Sequence, residues 1–438
     1  MSTAERAHES ESTHGQSIHA LARQLWPICR SLSGPGVRET LAIIQAQFPE
    51  LEIREIPSAT QCFDWTVPKE WAIRDAYVIG PSGDRTIDFR KNNLHVVGYS
   101  MPVDAEMGLE ELQAHLHSLP GQADAIPYVT SYYKEQWGFC LAHRQRQQLG
   151  AGRYRVKIDS ELTVGKLNFA EAVIPGQTKE EVLLSTYICH PSMANNELSG
   201  PCVTTFLAKW LRSLATRRYT YRILFLPETI GSICYVSRNL KQLQARVKAG
   251  FVVTCVGDER TYSFLPSRRG DTLADRAALH VLRYSGNEFK RYTYLDRGSD
   301  ERQYCSPGVD LPVAAIMRSK YGTYPEYHTS LDDLDFVTPA GLEGGYRVLQ
   351  RAIQVIEADR TPTAAVLCEP QLGKRGLYPV TSTAQSAAEV RNMMNLLAYA
   401  DGTRTLLEIA DHIDTPFWEI EPICSQLESH GLIRSELR

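Results

Sequence analysis

The sequence predicts an α/β protein with a mainly parallel central sheet flanked by helices, a β-rich insertion and a C-terminal winged-helix unit. Three observations carry this. Short continuous apolar runs alternate with helix-period segments between residues 181 and 358, the pattern of parallel strands buried on both faces. From about Ile56 to Leu162, aromatic and β-branched residues dominate short runs punctuated by turns. After Pro362, three helix-period segments and a short strand-like run close the chain.

The elements follow in order. Ile18, Leu21, Ala22, Leu25 and Trp26 recur at helical spacing, and a second helical run extends from Val37 to Phe48. Ser31-Leu32-Ser33-Gly34-Pro35-Gly36 is the turn between them. Within the aromatic stretch one helix is expected, Leu109 to Leu116, and the large aromatics Trp65, Trp71 and Trp137 are expected mostly as core. Next come a strand at 181–188, a helix at about 200–214, a strand at 222–226, a helix at about 232–244 and a strand at 250–256. A helix at 342–358 leads to Asp359-Arg360-Thr361-Pro362-Thr363, which reads as a linker. Val390 to Tyr399, Thr405 to Ile413 and Phe417 to His430 form the last three helices, and residues 431–434 the wing. The resulting boundaries are 1–57 with 166–360 for the sheet domain, 58–165 for the insertion and 361–438 for the winged helix.

Composition excludes several classes. The 438 residues hold 47 Lys and Arg against 51 Asp and Glu, so no general charge favours nucleic acid or an anionic membrane. From Val390 to Arg438 acids outnumber bases, and the segment Phe417 to His430 is acidic, which speaks against phosphate contacts there. No run of about 18 apolar residues predicts a membrane span, and the first residues lack the apolar core of a secretory signal. The ten cysteines stand singly with no CxxC pair, so buried thiols of a cytoplasmic protein are expected rather than disulfides or a thiolate cluster.

In an open α/β sheet, functional groups collect beyond the carboxyl ends of the strands. Four such ends carry chemistry: His190 with Glu197 in the loop after 181–188, Glu228 after 222–226, Asp258 after 250–256, and His328 beside Tyr327. Two imidazoles and several carboxylates are the ligand types zinc takes at an open site, and a strand-end Glu suits proton transfer from water. A lone His or strand-end acid more often caps a helix, so the weight rests on their joint order. Asp300, Glu301, Arg302 and Tyr304 form a polar loop that could line a substrate pocket; the alternative is a solvated loop closed on itself.

The order of these motifs resembles the zinc exopeptidases of the bacterial leucyl aminopeptidase type. More closely, it resembles a bacterial aminopeptidase-like family with an inserted β-rich domain and a C-terminal winged helix. The segments that carry the resemblance are Ile188 to Asn195, Pro227 to Ser232, Gly298 to Gly308 and Glu326 to Ser330. It implies a zinc-exopeptidase-like sheet and a metal-dependent aminopeptidase-like hydrolase. Carried over residue by residue, His190, Asp258 and His328 correspond to metal ligands and Glu228 to the general base.

The sequence departs from the exopeptidase pattern at three places. Ser192 replaces an orienting Asp, Asn195-Asn196-Glu197 stands where three acids are usual, and Thr229 replaces a ligand Glu. The expectation is therefore one zinc ion, held by His190, Asp258 and His328 with Glu197 as fourth ligand. Asn196, Asp300, Glu301, Arg302, Tyr304 and Tyr327 are expected around the substrate, a small molecule or short peptide-like amide bearing an amine. Two other readings compete: a single-zinc acyl transferase of the glutaminyl-cyclase kind, and a non-catalytic scaffold carrying the winged helix. No nucleic-acid or membrane partner is expected, and self-association would use the winged helix or the insertion.

Overall fold

The computed structural model describes residues 3–286, 288–377 and 384–436. Helices α1 (Thr3–Leu25) and α2 (Pro35–Gln47) open the chain and pack on one face of the sheet through Ile18, Leu25, Val37, Leu41 and Ile44, all buried. The sheet is built from β1 (Glu52–Pro57), β2 (Lys166–Ile174), β3 (Glu181–Tyr187), β4 (Thr220–Leu226), β5 (Val247–Val252), β6 (Tyr262–Leu265), β7 (Phe289–Arg291) and β8 (Val313–Met317). Their order across the sheet is β1-β2-β4-β3-β5-β8-β6-β7.

The four central strands, β4, β3, β5 and β8, are mutually parallel. Every residue of β3 is buried, which is why its sequence reads as a continuous apolar run rather than an alternating one. The flanks differ from the expected parallel pattern. β2 runs antiparallel to both β1 and β4, and β6 runs antiparallel to β8. The reason is connectivity: β1 and β2 bracket the insertion, so the chain leaves and re-enters the sheet on one edge without a crossover helix.

Helices α3 (Ser199–Ser213), α4 (Ile230–Arg246), α5 (Leu273–Arg283) and α6 (Pro339–Ala358) cover the sheet. α3 approaches very closely: a Cβ on Gly200 would meet the Val253 carbonyl at 2.3 Å and Thr186 Oγ1 at 2.5 Å. Only glycine allows that contact.

The insertion centres on a four-stranded antiparallel sheet of Arg85–Asp88, Glu70–Ile79, Arg153–Thr163 and Val103–Gly108, in that order. The helix expected from Leu109 ends at Gln113, and Leu116–His117 pairs instead with Phe139–Cys140. Trp71 is core, 3% exposed, with its Nε1–H donated to the Ser100 carbonyl, whereas Trp65 is exposed on a short hairpin of Gln61–Cys62 and Trp65–Thr66.

Two expectations are corrected here. Cys62 on that hairpin forms a disulfide with Cys234 of α4, and the sequence separation of 172 hides the pairing from the sequence. The remaining eight cysteines are free thiols. The expected linker is also structured: β9 (Thr361–Ala364) pairs antiparallel with β10 (Ile433–Glu436) and belongs to the C-terminal unit.

That unit contains α7 (Ala384–Tyr399), α8 (Leu406–His412) and α9 (Phe417–Ser429), docked on α5 and α6. His280 contacts Asp411 through Nδ1 at 2.8 Å and accepts the Phe417 N–H through Nε2 at 2.8 Å. Among the described residues no helix is long and apolar enough to cross a membrane.

Candidate active site

β3 and β4 are in register with Tyr187 opposite Leu226, so the segments beyond them emerge side by side. This brings His190 and Glu228 together, with His190 Nε2 3.6 Å from Glu228 Oε2. His328 arrives from the loop after β8, its ring centroid 5.5 Å from that of His190. His328 Nε2 is buried without a hydrogen-bond partner. Burial pushes both imidazoles down to about 3, helped by Arg30 at His190 and by His190 at His328, so both rings are neutral near pH 7.

His190 is held from behind. Its Nδ1 lies 2.8 Å from Glu197 Oε2, and Arg30 donates Nε–H to the His190 carbonyl at 3.0 Å. The Arg30 guanidinium, fully buried, stands 3.6 Å from the second Glu197 oxygen. Burial pushes the Glu197 carboxyl up to about 8, with Arg30 pulling against that rise. Glu197 sits in a π-helical turn, Ala194–Leu198, immediately before α3. Asp332 anchors that turn by accepting the N–H groups of Asn195 (2.6 Å) and Asn196 (3.0 Å). Such turns recur at functional sites because they re-aim a side chain within a helix start.

Glu228 precedes Thr229, whose φ of 65° is rare for a β-branched residue. The turn is pinned by Asp300, which accepts the Thr229 N–H (2.8 Å) and the Ser232 hydroxyl (2.7 Å), and by Arg302, which donates to Thr229 Oγ1 (2.7 Å). Burial and the neighbouring Asp300 push Glu228 up to about 8, and burial raises Asp300 to about 6. Asp300 Oδ2 and Glu301 Oε2 are buried and unpartnered.

The expected ligand set does not assemble as a unit. Among the described residues, the group of His, Cys, Asp and Glu atoms lying within 4.8 Å of one another is Cys189, His190 and Glu197. Asp258 is a correction. Its carboxylate is occupied by the Asn195 amide (3.0 Å), the Arg260 N–H (2.9 Å) and the Ser319 N–H and hydroxyl (2.8 and 2.9 Å). It lies six residues past the end of β5, and the position nearer the strand end is Thr254, whose hydroxyl meets Tyr187 and Asn196. Glu197, the expected fourth ligand, stays within the group that could hold an ion, and its contact with His190 Nδ1 is also the one an orienting carboxylate makes, here where Ser192 replaces the usual Asp.

Cys189 faces the site. The chain has left the strand by residue 188, and its Sγ accepts the Glu228 N–H at 3.2 Å and sits 3.5 Å from His190 Nδ1. Burial pushes its thiol well up from the usual range. Tyr304 is a further correction: it is fully buried beneath the sheet with its hydroxyl on Ser185 Oγ (2.8 Å), out of reach of a substrate.

Of the other expected residues, Tyr327 stacks on His328 at 3.8 Å between centroids. Asn196 accepts the Tyr187 hydroxyl (2.9 Å) and leaves its Nδ2 buried and unpartnered. Arg302 contacts Thr229 as described. Two contributors, Arg30 and Tyr128, were not singled out from sequence, and Asp332 was noted only as an acid close behind His328. Tyr128 comes from the insertion and lies 5.2 Å from the His190 ring and 5.1 Å from the His328 ring. Its N–H donates to the His328 carbonyl at 2.9 Å, so the insertion closes the site. The three tyrosines, Tyr128, Tyr132 and Tyr133, with Thr130 and Ser131 between them, are the signal in that part of the sequence.

Fold and site together define an α/β protein with an aminopeptidase-like domain and a C-terminal winged helix. The chain belongs to the family described as domain of unknown function DUF4910, whose model matches residues 19–359; a winged helix-turn-helix model matches residues 360–435. It is 46% identical over 404 residues, 92% of each chain, to a Clostridium acetobutylicum protein whose name gives polysaccharide biosynthesis and an aminopeptidase-like domain. A crystal structure of a Clostridium acetobutylicum protein designated a peptidase superposes with a TM-score of 0.93 at 43% identity, covering 99% of both chains. The fold is shared with a zinc aminopeptidase from Bacillus subtilis (TM-score 0.57, 10% identity, 78% of this chain and 95% of that one). It is also shared with a peptidase M28 precursor from Shewanella amazonensis (TM-score 0.56, 12% identity, 83% and 98%).

Proposed function

We propose that this chain is a metal-dependent hydrolase that cleaves an amide of a small amine-bearing substrate. The observation that carries the reading is the pair of neutral, buried imidazoles converging beside Glu228. The donor chemistry fits one zinc ion. With the His190 proton on Nδ1 and donated to Glu197, Nε2 offers a lone pair, and His328 Nε2 is buried without a protein partner. His190 and His328 are therefore the proposed ligands. Zinc bound there supplies Lewis acidity toward a carbonyl and lowers the pKa of water.

The chain's own groups do the rest. Glu228, a neutral acid near pH 7 when burial acts alone, would be ionised by a cation held beside it and in that form takes a proton from the attacking water and returns it to the leaving amine. Asp300 and Arg302 fix the Thr229 turn that presents Glu228. Tyr128 and Tyr327 wall the site and exclude water from it.

The test is metal analysis with turnover assays on a library of aminoacyl amides. Wild type is expected to hold one zinc per chain. Glu228→Gln should retain that zinc and lose turnover by about a hundredfold or more. Two tightly held ions, or an active Glu228→Gln variant, overturns the assignment.

A further inference from the structure

The insertion carries a second feature that hydrolysis at His190 and Glu228 leaves unexplained. Phe63, Trp65 and Tyr133 are 52%, 37% and 60% exposed, and among the described residues every other large exposed apolar side chain is aliphatic. All three gather at one place. Trp65 and Tyr133 meet edge to face, 5.8 Å between centroids, on one side of a cleft of about 590 Å³. Phe63 stands at the tip of the hairpin that carries Trp65.

The cleft shares a wall with the site. Its inner wall is Tyr99 and Tyr132, whose rings pack at 5.2 Å, and the Tyr132 hydroxyl meets that of Tyr128 at 2.6 Å. Tyr128 in turn touches both His190 and His328. The hairpin is fixed as well: Cys62 ties it to Cys234, on the helix that begins two residues after Glu228. The aromatic edge is thus held at constant distance from the reacting groups.

The rim decides the chemistry. Asp64 and Glu135 face the cleft together with Lys69 and Lys134, all exposed, and among the described residues none of their side chains is in an ion pair or hydrogen bond. Two acids and two lysines match neither a phosphate nor a polyamine, each of which asks for a rim of one sign. Groups that both donate and accept hydrogen bonds suit such a rim, and hydroxyls do both. An apolar C–H face set against the electron-rich face of an aromatic ring completes the match. A pyranose ring presents both surfaces at once.

We propose that this cleft is a carbohydrate subsite, holding a sugar ring of the substrate whose amide reaches the His190–Glu228 centre. The assignment of that amide rests on the hydrolase reading above; the sugar binding does not. Saturation-transfer NMR on the full-length chain separates the two, with glucose, mannose, galactose and N-acetylglucosamine as probes. Transfer to ring C–H protons is expected in wild type and equally in Glu228→Gln, whether or not either turns over an amide. Trp65→Ala and Tyr133→Ala should weaken it about tenfold, and Trp65→Phe, which keeps a ring, should retain most of it. Circular dichroism identifies any variant that has not folded, and Trp65→Phe then carries the comparison with wild type.

Absence of transfer to every sugar overturns the proposal. So does equal transfer in Trp65→Ala and wild type. Transfer confined to phenylalanine amide, added as a control, overturns it in favour of an aromatic peptide side chain.

Discussion

His190 presents Nε2 to the centre because Glu197 holds its other nitrogen, and Glu197 is set by Arg30 from the turn between the first two helices. Removing the orienting carboxylate frees the ring to rotate, and partners of this kind are worth about 10–100-fold in metal affinity. Glu197→Ala is therefore expected to weaken zinc binding by that factor, read by chelator competition. An unchanged affinity means that Glu197 does not orient the ring. Arg30→Met should act in the same direction, because it leaves a buried carboxyl with no counter-charge. The residue types of this chain of contacts are legible in sequence, since His190, Glu197 and Glu228 stand at strand ends. Their roles are not. Arg30 lies 160 residues before His190, and the choice between Glu197 as ligand and as orienter depends on which nitrogen it meets.

At the scale of elements, the parallel centre is readable because strands buried on both faces become continuous apolar runs. The antiparallel edges are not readable, since β1 and β2 are separated by the whole insertion and their pairing is a long-range event. Asp258 was misjudged for the same reason: the residues after β5 turn away before it is reached, and Thr254 takes the strand-end place. The Cys62–Cys234 bond has no local signature either, yet it joins the aromatic hairpin to α4. Alkylation of the denatured chain should modify eight cysteines without reductant and ten with it, counted by mass spectrometry. Ten under both conditions removes the bond from the protein as isolated. Where it is formed, Cys62→Ser with Cys234→Ser is expected to cost about 2–5 kcal/mol in denaturant unfolding, as closing a long loop constrains the unfolded chain.

At the scale of the whole molecule, the C-terminal unit turns its acidic helix inward. Trp418 of α9 lies under Arg351 at 4.2 Å, and Arg360 engages Glu421 and Glu428. We propose that the unit serves packing rather than nucleic-acid reading, because the helix that would enter a groove carries acids and is docked on α6. One group at the junction, Asp359, has its carboxyl raised by burial. Asp359, 7% exposed at the end of α6, accepts the Leu407 N–H at 2.9 Å from the first turn of α8. Burial raises it from 3.8 to about 6. Between those values the native state holds a proton that the unfolded chain releases, so stability falls as pH rises through the window. Above about pH 6 the whole difference is present, roughly 3 kcal/mol for two units. Asp359→Asn keeps an oxygen for Leu407 and cannot ionise. It is expected to raise the melting temperature near neutral pH, with the gain shrinking steadily as the pH is lowered toward about 4. A gain that does not change with pH would assign the effect to packing at the junction, and no gain would mean that the carboxylate is already compensated by Arg276 and Thr405.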